Sequence, residues 1–301
     1  MRLTADVPDL LITSPANPRL KAVVALRRRR TREETGTTLV EGHEELTLAL
    51  ASGVRPETLF VCPELFSPAG HAGRQEIGRQ EDLVAHARQL GAEVVRLNRT
   101  AFERVAYREG PDGLLAVVPA VGRALSQLDT DDHALLLVAQ GVEKPGNLGA
   151  MLRTADAAGV TAVVAADPVT DGGNPNVVRA SKGTVFAVPV AAAMTAEALA
   201  WLTARQVRLV VTTPDTDRLY TDVDLTGAVA VAVGAEKHGA DDTLLDAAAY
   251  RVRIPMHGKA NSLNVAASAA IVLFEARRQR RSGHREHRSL TPARRGGQKH
   301  P

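Results

Sequence analysis

In the second half of the chain, short aliphatic runs recur at Leu135 to Ala139, Thr161 to Ala165, Val207 to Val211, Val229 to Val233 and Arg251 to Ile254, alternating with stretches that read as helix. Apolar runs without polar alternation suit strands buried on both faces, and helix-length connections predict a mostly parallel sheet covered on both sides. Aromatic residues make up only 3% of the chain. The cores must therefore be built from Ala, Val and Leu, which suits helices packed on such a sheet and gives an α/β fold class.

The first half predicts a smaller α/β domain. After a leader at residues 1–13, Asn17-Pro18 opens a helix containing Leu20, Val23, Val24 and Leu26, with Arg27 to Arg30 at its end. Thr37 to Val40, Thr58 to Val61, Glu93 to Leu97 and Leu114 to Val118 read as strands, and His43 to Ala51 and Asp82 to Leu90 as helices. The stretch Pro119 to His133 lacks apolar periodicity and carries Gly122 and the acidic cluster Asp129, Asp131 and Asp132. The 301 residues thus divide into an N-terminal domain at 14–120, a linker at 121–133, a larger domain at 134–281 and a tail at 282–301. The tail is poor in apolar residues and is expected to be disordered.

Charge is unevenly placed. The chain carries a net +3, yet from Arg277 onward there are nine Lys and Arg against one Glu, which leaves −5 for the preceding residues. Such a tail can attract nucleic acid or simply be solvated. Outside it, Lys21, Arg27, Arg28, Arg29, Arg30 and Arg32 form the densest basic cluster. It is a candidate grip for RNA phosphates, with an exposed helix end as the plain alternative.

Other classes are disfavoured. The lone Cys62 has no internal disulfide partner and reads as a buried small hydrophobe. The nine histidines show no metal-ligand spacing, so no metal site is expected, and His43 and His238 read as surface or loop residues. No secretory signal opens the chain, and runs such as Ala228 to Val233 fall far short of the roughly 20 residues needed to span a bilayer. A cytoplasmic protein with no membrane partner is expected. Trp201, in an Ala/Leu-rich helix, reads as packing.

In open parallel sheets, ligands bind beyond the carboxyl ends of the strands. Three segments follow predicted strands in this chain. Gln140 to Ala155 is a strand end, a Gly/Pro turn and a helix start carrying Asn147 and Arg153; it lacks the GxGxxG fingerprint of a nicotinamide dinucleotide site. Alone, it could be only a helix cap at Asn147 and a surface arginine. Val233 to Gly239 holds Glu236 between two glycines, where a carboxylate can reach a ligand or orient an arginine. Ile254 to Ala270 runs from a strand through a Gly-containing loop into a helix rich in small residues, with Ser262 as its N-cap and Asn264 in its first turn.

Taken together and in order, NxGxxxRTA at Asn147 to Ala155, GxExxG at Gly234 to Gly239, and IPM followed by SLNVA within Ile254 to Ala266 resemble the SpoU (TrmH) family of RNA ribose 2′-O-methyltransferases. Val178 to Gly183 resembles the family's connecting segment, and Ser14 to Arg19 with Thr38 to Gly42 its N-terminal substrate-binding domain. The resemblance implies a deep trefoil knot in the C-terminal domain and a homodimer formed through it. It implies S-adenosylmethionine as cofactor, held around Gly234, Ala235, Ile254, Met256, Ser262 and Leu263.

The resemblance also implies a catalytic set of Asn147, Arg153, Glu236, Ser262 and Asn264. In the family the arginine is the suggested base, but a guanidinium normally stays protonated. We read Arg153 as a phosphate clamp or alkoxide stabiliser, held by a bidentate pair with Glu236. The favoured substrate is 23S rRNA. The alternatives are transfer RNA and a catalytically silent RNA-binding protein of the same fold.

Overall fold

The computed structural model describes residues 9–66 and 74–289. The N-terminal elements are β1 (Leu10–Ile12), α1 (Pro18–Ala25), α2 (Arg29–Thr35), β2 (Thr37–Glu41), α3 (His43–Ala51), β3 (Thr58–Val61), α4 (Arg74–Gln89), β4 (Glu93–Leu97), α5 (Arg99–Val105) and β5 (Leu114–Pro119). Their strands form one mixed sheet in the order β1-β4-β3-β5-β2, with β1, β4 and β3 parallel to each other and β5 antiparallel to both β3 and β2. The end of the expected leader is therefore an edge strand. The expected first helix is two: α1 stops at Ala25, and α2 starts afresh at Arg29 and ends on Gly36, whose φ of 68° is left-handed.

The second unit contains β6 (Leu135–Gln140), α6 (Pro145–Ala158), β7 (Ala162–Ala166), α7 (Pro175–Ala180), β8 (Val190–Ala193), α8 (Thr195–Ala204), β9 (Arg208–Thr212), β10 (Val229–Val233), α9 (Asp242–Asp246), β11 (Tyr250–Val252) and α10 (Val265–Ser289). The six strands run in the order β11-β9-β10-β6-β7-β8, and every pairing is parallel. Every residue of β6, β7 and β10 is buried. One face carries α8 and α9, with Trp201 packed among Leu202, Leu209 and Leu244. Against the other lie α6 and α10, which meet through Met151, Ala155, Ala269 and Leu273. The small side chains on α10 permit that close approach.

Two expectations about this half change. Val190–Ala193 is a sixth strand that no aliphatic run announced, and Arg123, inside the expected linker, makes a parallel bridge to its Ala191. Helix α10 runs to Ser289, past the expected domain end at residue 281, and the remainder of the expected tail lies outside the described residues.

The two units share one hydrophobic cluster, in which Val40, Leu46 and Leu50 join Val177, Val178 and Val185. Polar contacts reinforce this seam. Arg32, only 4% exposed, pairs with Asp171, and the Thr38 hydroxyl donates to the Gly173 carbonyl. Lys182 reaches Glu44 at 3.0 Å and the buried Glu45 at 3.8 Å. Gly183 has φ 81°, and a Cβ there would lie 2.8 Å from the Glu45 carbonyl oxygen, so no larger residue could hold this approach. Removing Asp171 would leave the buried Arg32 guanidinium without its counter-charge and is destabilising, although the Leu26 and Arg27 carbonyls still accept from it.

Beside the seam, Glu41 is fully buried. Its Oε2 accepts from the Tyr107 amide at 2.7 Å, and its own amide donates to the Tyr107 hydroxyl at 3.0 Å, while Oε1 has no partner among the described residues. Burial pushes the carboxyl up to about 7, against the opposing pull of the Tyr107 N–H and the Arg108 charge. A raised carboxyl pKa opposes folding once the unfolded chain releases a proton that the folded protein retains. The penalty is absent below the ordinary carboxylate range, grows up to about pH 7 and is constant above it. Glu41→Gln keeps an acceptor for the Tyr107 amide. It should leave thermal stability unchanged at pH 4 and raise it at pH 8, by up to about 3 kcal/mol; thermal unfolding at the two pH values checks this.

Candidate active site

Strands β6 and β10 are neighbours, with Val233 opposite Ala139, so the loops that follow them leave the sheet side by side. Gly141 turns the first loop with φ 62°, and a Cβ there would come 3.3 Å from the Ala235 methyl carbon. In the second, Gly234 is buried, and a Cβ would run into the backbone of Gly239 and Ala240. Reciprocal backbone bonds between Ala235 and Gly239, both 2.9 Å, close this loop.

Glu236 projects from the closed loop onto the start of α6. Its Oε2 accepts from the Glu143 amide at 3.2 Å, and its Oε1 accepts from the Lys144 amide at 3.2 Å and from Asn147 Nδ2 at 2.7 Å. Helix α6 begins with Pro145, so these donors are the N–H groups just before the helix plus a side chain from its first turn. Partial burial works against the Glu236 charge, but the bonds from Asn147, Glu143 and Lys144 outweigh it and hold the carboxyl below its usual range.

Asn147 continues the line. Its Oδ1 accepts from Asn264 Nδ2 at 3.0 Å, and Asn264 Oδ1 in turn accepts from the Ala266 amide at 2.9 Å. The cap of α10 is therefore Asn264 and not Ser262, which is exposed and, among the described residues, makes no side-chain hydrogen bond. Three of the five expected catalytic residues are thus joined across the three strand-end segments.

Arg153 is not part of that line. It lies six residues beyond Asn147 on α6, exposed and, among the described residues, without a hydrogen bond or ion pair. The expected bidentate pair with Glu236 does not form: both carboxylate oxygens are turned to the helix entry. Ile254 through Leu263 make no backbone–backbone hydrogen bond among the described residues, and Met256 and Leu263 are each 38% exposed. This stretch of free amides and carbonyls, leaving the sheet two strands from β10, fits a ligand with an adenine edge and a carboxylate.

Sequence reasoning missed Gln140. It is buried at the last position of β6, donates from Nε2 to Thr195 Oγ1 at 3.0 Å and accepts at Oε1 from the Asp241 amide at 3.0 Å. It thereby ties the far end of the Glu236 loop to β6. The available signal was a polar side chain closing an otherwise aliphatic run.

The N-terminal basic cluster is largely engaged. Arg27 donates to the carbonyls of Val105 and Ala106, Arg29 and Arg30 pair with Glu33 and Glu34 one turn on, and Arg32 is buried in the seam. Arg32 is thus a structural cation with no face for a phosphate. Lys21 and Arg28 remain exposed and, among the described residues, unpaired.

Comparison with known proteins places these features in context. The SpoU rRNA Methylase family matches residues 134–274, and an MRM3-like substrate binding domain matches residues 17–116. The chain is 31% identical to the 23S rRNA (guanosine(2553)-2′-O)-methyltransferase RlmP of Bacillus subtilis, over 88% of this chain and 98% of that protein. It is 35% identical to the 23S rRNA (guanosine-2′-O-)-methyltransferase RlmB of Xylella fastidiosa, over 77% of this chain and 94% of that protein. Among solved structures, an AdoMet-bound rRNA methyltransferase from Sinorhizobium meliloti superposes with a TM-score of 0.79 at 30% identity, over 89% of this chain and 97% of that one.

Glu236→Gln turns one acceptor into a donor that faces a backbone N–H. It should cost about 1 kcal/mol of stability near neutral pH. Because the Glu236 pKa is lowered, its contribution is full above the ordinary carboxylate range and is lost as pH falls through the folded value. Wild-type and variant melting temperatures should therefore converge on acidification.

Proposed function

The chain belongs to the SpoU rRNA Methylase family, and we propose that within it the protein methylates a ribose 2′-hydroxyl of 23S ribosomal RNA. It is an S-adenosylmethionine-dependent RNA 2′-O-methyltransferase. The single observation that carries the reading is the line from Glu236 through Asn147 to Asn264. It fixes two strand-end loops and the start of α10 around the unbonded Ile254 to Leu263 stretch.

S-adenosylmethionine, when bound, supplies an already activated methyl group on its sulfonium. The backbone around Gly234, Ala235, Ile254, Met256, Ser262 and Leu263 would hold it. The chain's own task is to orient the ribose oxygen in line with that methyl and to favour its ionised form. Asn147 and Asn264 are locked by their mutual bond and present fixed polar edges. The free Arg153 guanidinium can clamp a phosphate bidentately or stabilise the developing alkoxide, and the proton leaves to solvent.

Two finer features belong to the same reading. The protein acts as a homodimer, which is supported by Phe274, 50% exposed on a helix whose Ala269, Val272, Leu273 and Ala276 are buried. The knot involves the chain entering α10, which is supported by backbone bonds of Arg253 to Arg218 and Tyr220 in the loop after β9. No helix among the described residues is long and apolar enough to cross a membrane. An rRNA-modifying role fits the cytoplasm.

Incubation with labelled S-adenosylmethionine and either 23S rRNA or transfer RNA, followed by mapping of alkali-resistant linkages, tests the substrate. Label confined to transfer RNA would overturn it. Arg153→Lys retains charge but loses the planar fork, so turnover should fall about tenfold or more with cofactor affinity unchanged. Near-full turnover would exclude a role for the fork.

A further inference from the structure

A stretch of the second domain, residues 170–185, carries much of the seam between the two domains. Asp171, Gly173, Lys182 and Gly183 all meet the N-terminal domain there. On its other side the same stretch touches the catalytic helix. A Cβ on Gly149 would lie 2.5 Å from the Ala180 Cβ and 2.8 Å from the Ser181 amide nitrogen, so α7 and α6 are in backbone contact at that point. Gly149 is one helical turn before Arg153, on the same stripe of α6.

Arg179 is the residue before this contact. It is exposed and, among the described residues, has no hydrogen bond or ion pair, whereas Lys182 three positions on is spent on Glu44 and Glu45. Arg179 directly follows Val178 on α7, and Val178 is buried in the hydrophobic cluster that the two domains share, so the residue stands at the seam. Two unpaired guanidiniums, Arg153 and Arg179, therefore stand on two helices packed together, one at the reaction site and one where the substrate domain begins.

We propose that Arg179 binds a phosphate of the RNA strand at the domain seam and so sets which nucleotide is presented to Arg153. Phosphate contacts of this kind fix register and orientation without reading sequence. A bidentate arginine left free of carboxylates suits them. The proposal rests on the reading of the protein as an RNA 2′-O-methyltransferase.

The test compares wild type, Arg179→Ala and Arg179→Lys in methyl transfer from labelled S-adenosylmethionine to a 23S rRNA transcript at several salt concentrations. Arg179→Ala should raise KM for RNA about five- to tenfold, more than it lowers kcat, and reduce the salt slope by about one. Arg179→Lys should recover part of the loss, and cofactor affinity by calorimetry should not move. An unchanged KM and salt slope would overturn the proposal. So would a lowered melting temperature with an unaltered KM, which would make Arg179 part of the seam's packing. If wild type fails to methylate the transcript, the substrate reading fails separately. Binding of the same three proteins to a single-stranded RNA oligonucleotide across the salt series then decides the role of Arg179.

Discussion

The site depends on one carboxylate. Glu236 accepts three hydrogen bonds from the entry of α6, and through Asn147 and Asn264 the same line reaches the first amides of α10. Two helices that begin far apart in the chain are thereby indexed to one loop at the end of β10. Charge-assisted bonds of this kind are about twice as strong as neutral ones, so the carboxylate's ionisation is part of the architecture.

The second constraint is the seam. A shared hydrophobic cluster, the buried pair of Arg32 with Asp171 and the close approach at Gly183 join a substrate domain to a catalytic domain along one short stretch. That stretch also braces α6 at Gly149. The stretch that meets the N-terminal domain therefore also packs against the helix that carries Arg153.

Much of this was legible in the sequence. The aliphatic runs located five of the six parallel strands, because strands buried on both faces leave an unmistakable apolar signature. Val190–Ala193 escaped because two of its residues are not buried and Ala-rich segments suit helices equally. Strand β1 escaped because its evidence is a pairing with β4 more than eighty residues away. Residue order put Asn147, Glu236 and Asn264 in one candidate set, and the structure joins them by hydrogen bonds, but spacing says nothing of side-chain direction. The Glu236 carboxylate turned to the amides before α6 instead of Arg153, and the cap of α10 fell on Asn264 instead of Ser262. The basic cluster at 27–32 looked uniform in sequence, whereas three of its members are engaged by Glu33, Glu34 and Asp171. The distinction is tertiary.

The unbonded stretch from Ile254 to Leu263 bears on the order of events. Among the described residues its amides and carbonyls have no backbone partners to give up, so a cofactor could recruit them without breaking those bonds. Fixing each residue nonetheless costs about 1–2 kcal/mol of backbone entropy, which the first ligand to arrive must offset. A cofactor seated on this stretch would order the chain that leads into Asn264, and RNA arriving afterwards would meet a rigid surface. The ordering cost would then fall on the first binding step and not on the second, which favours a sequence in which the methyl donor binds before the nucleic acid.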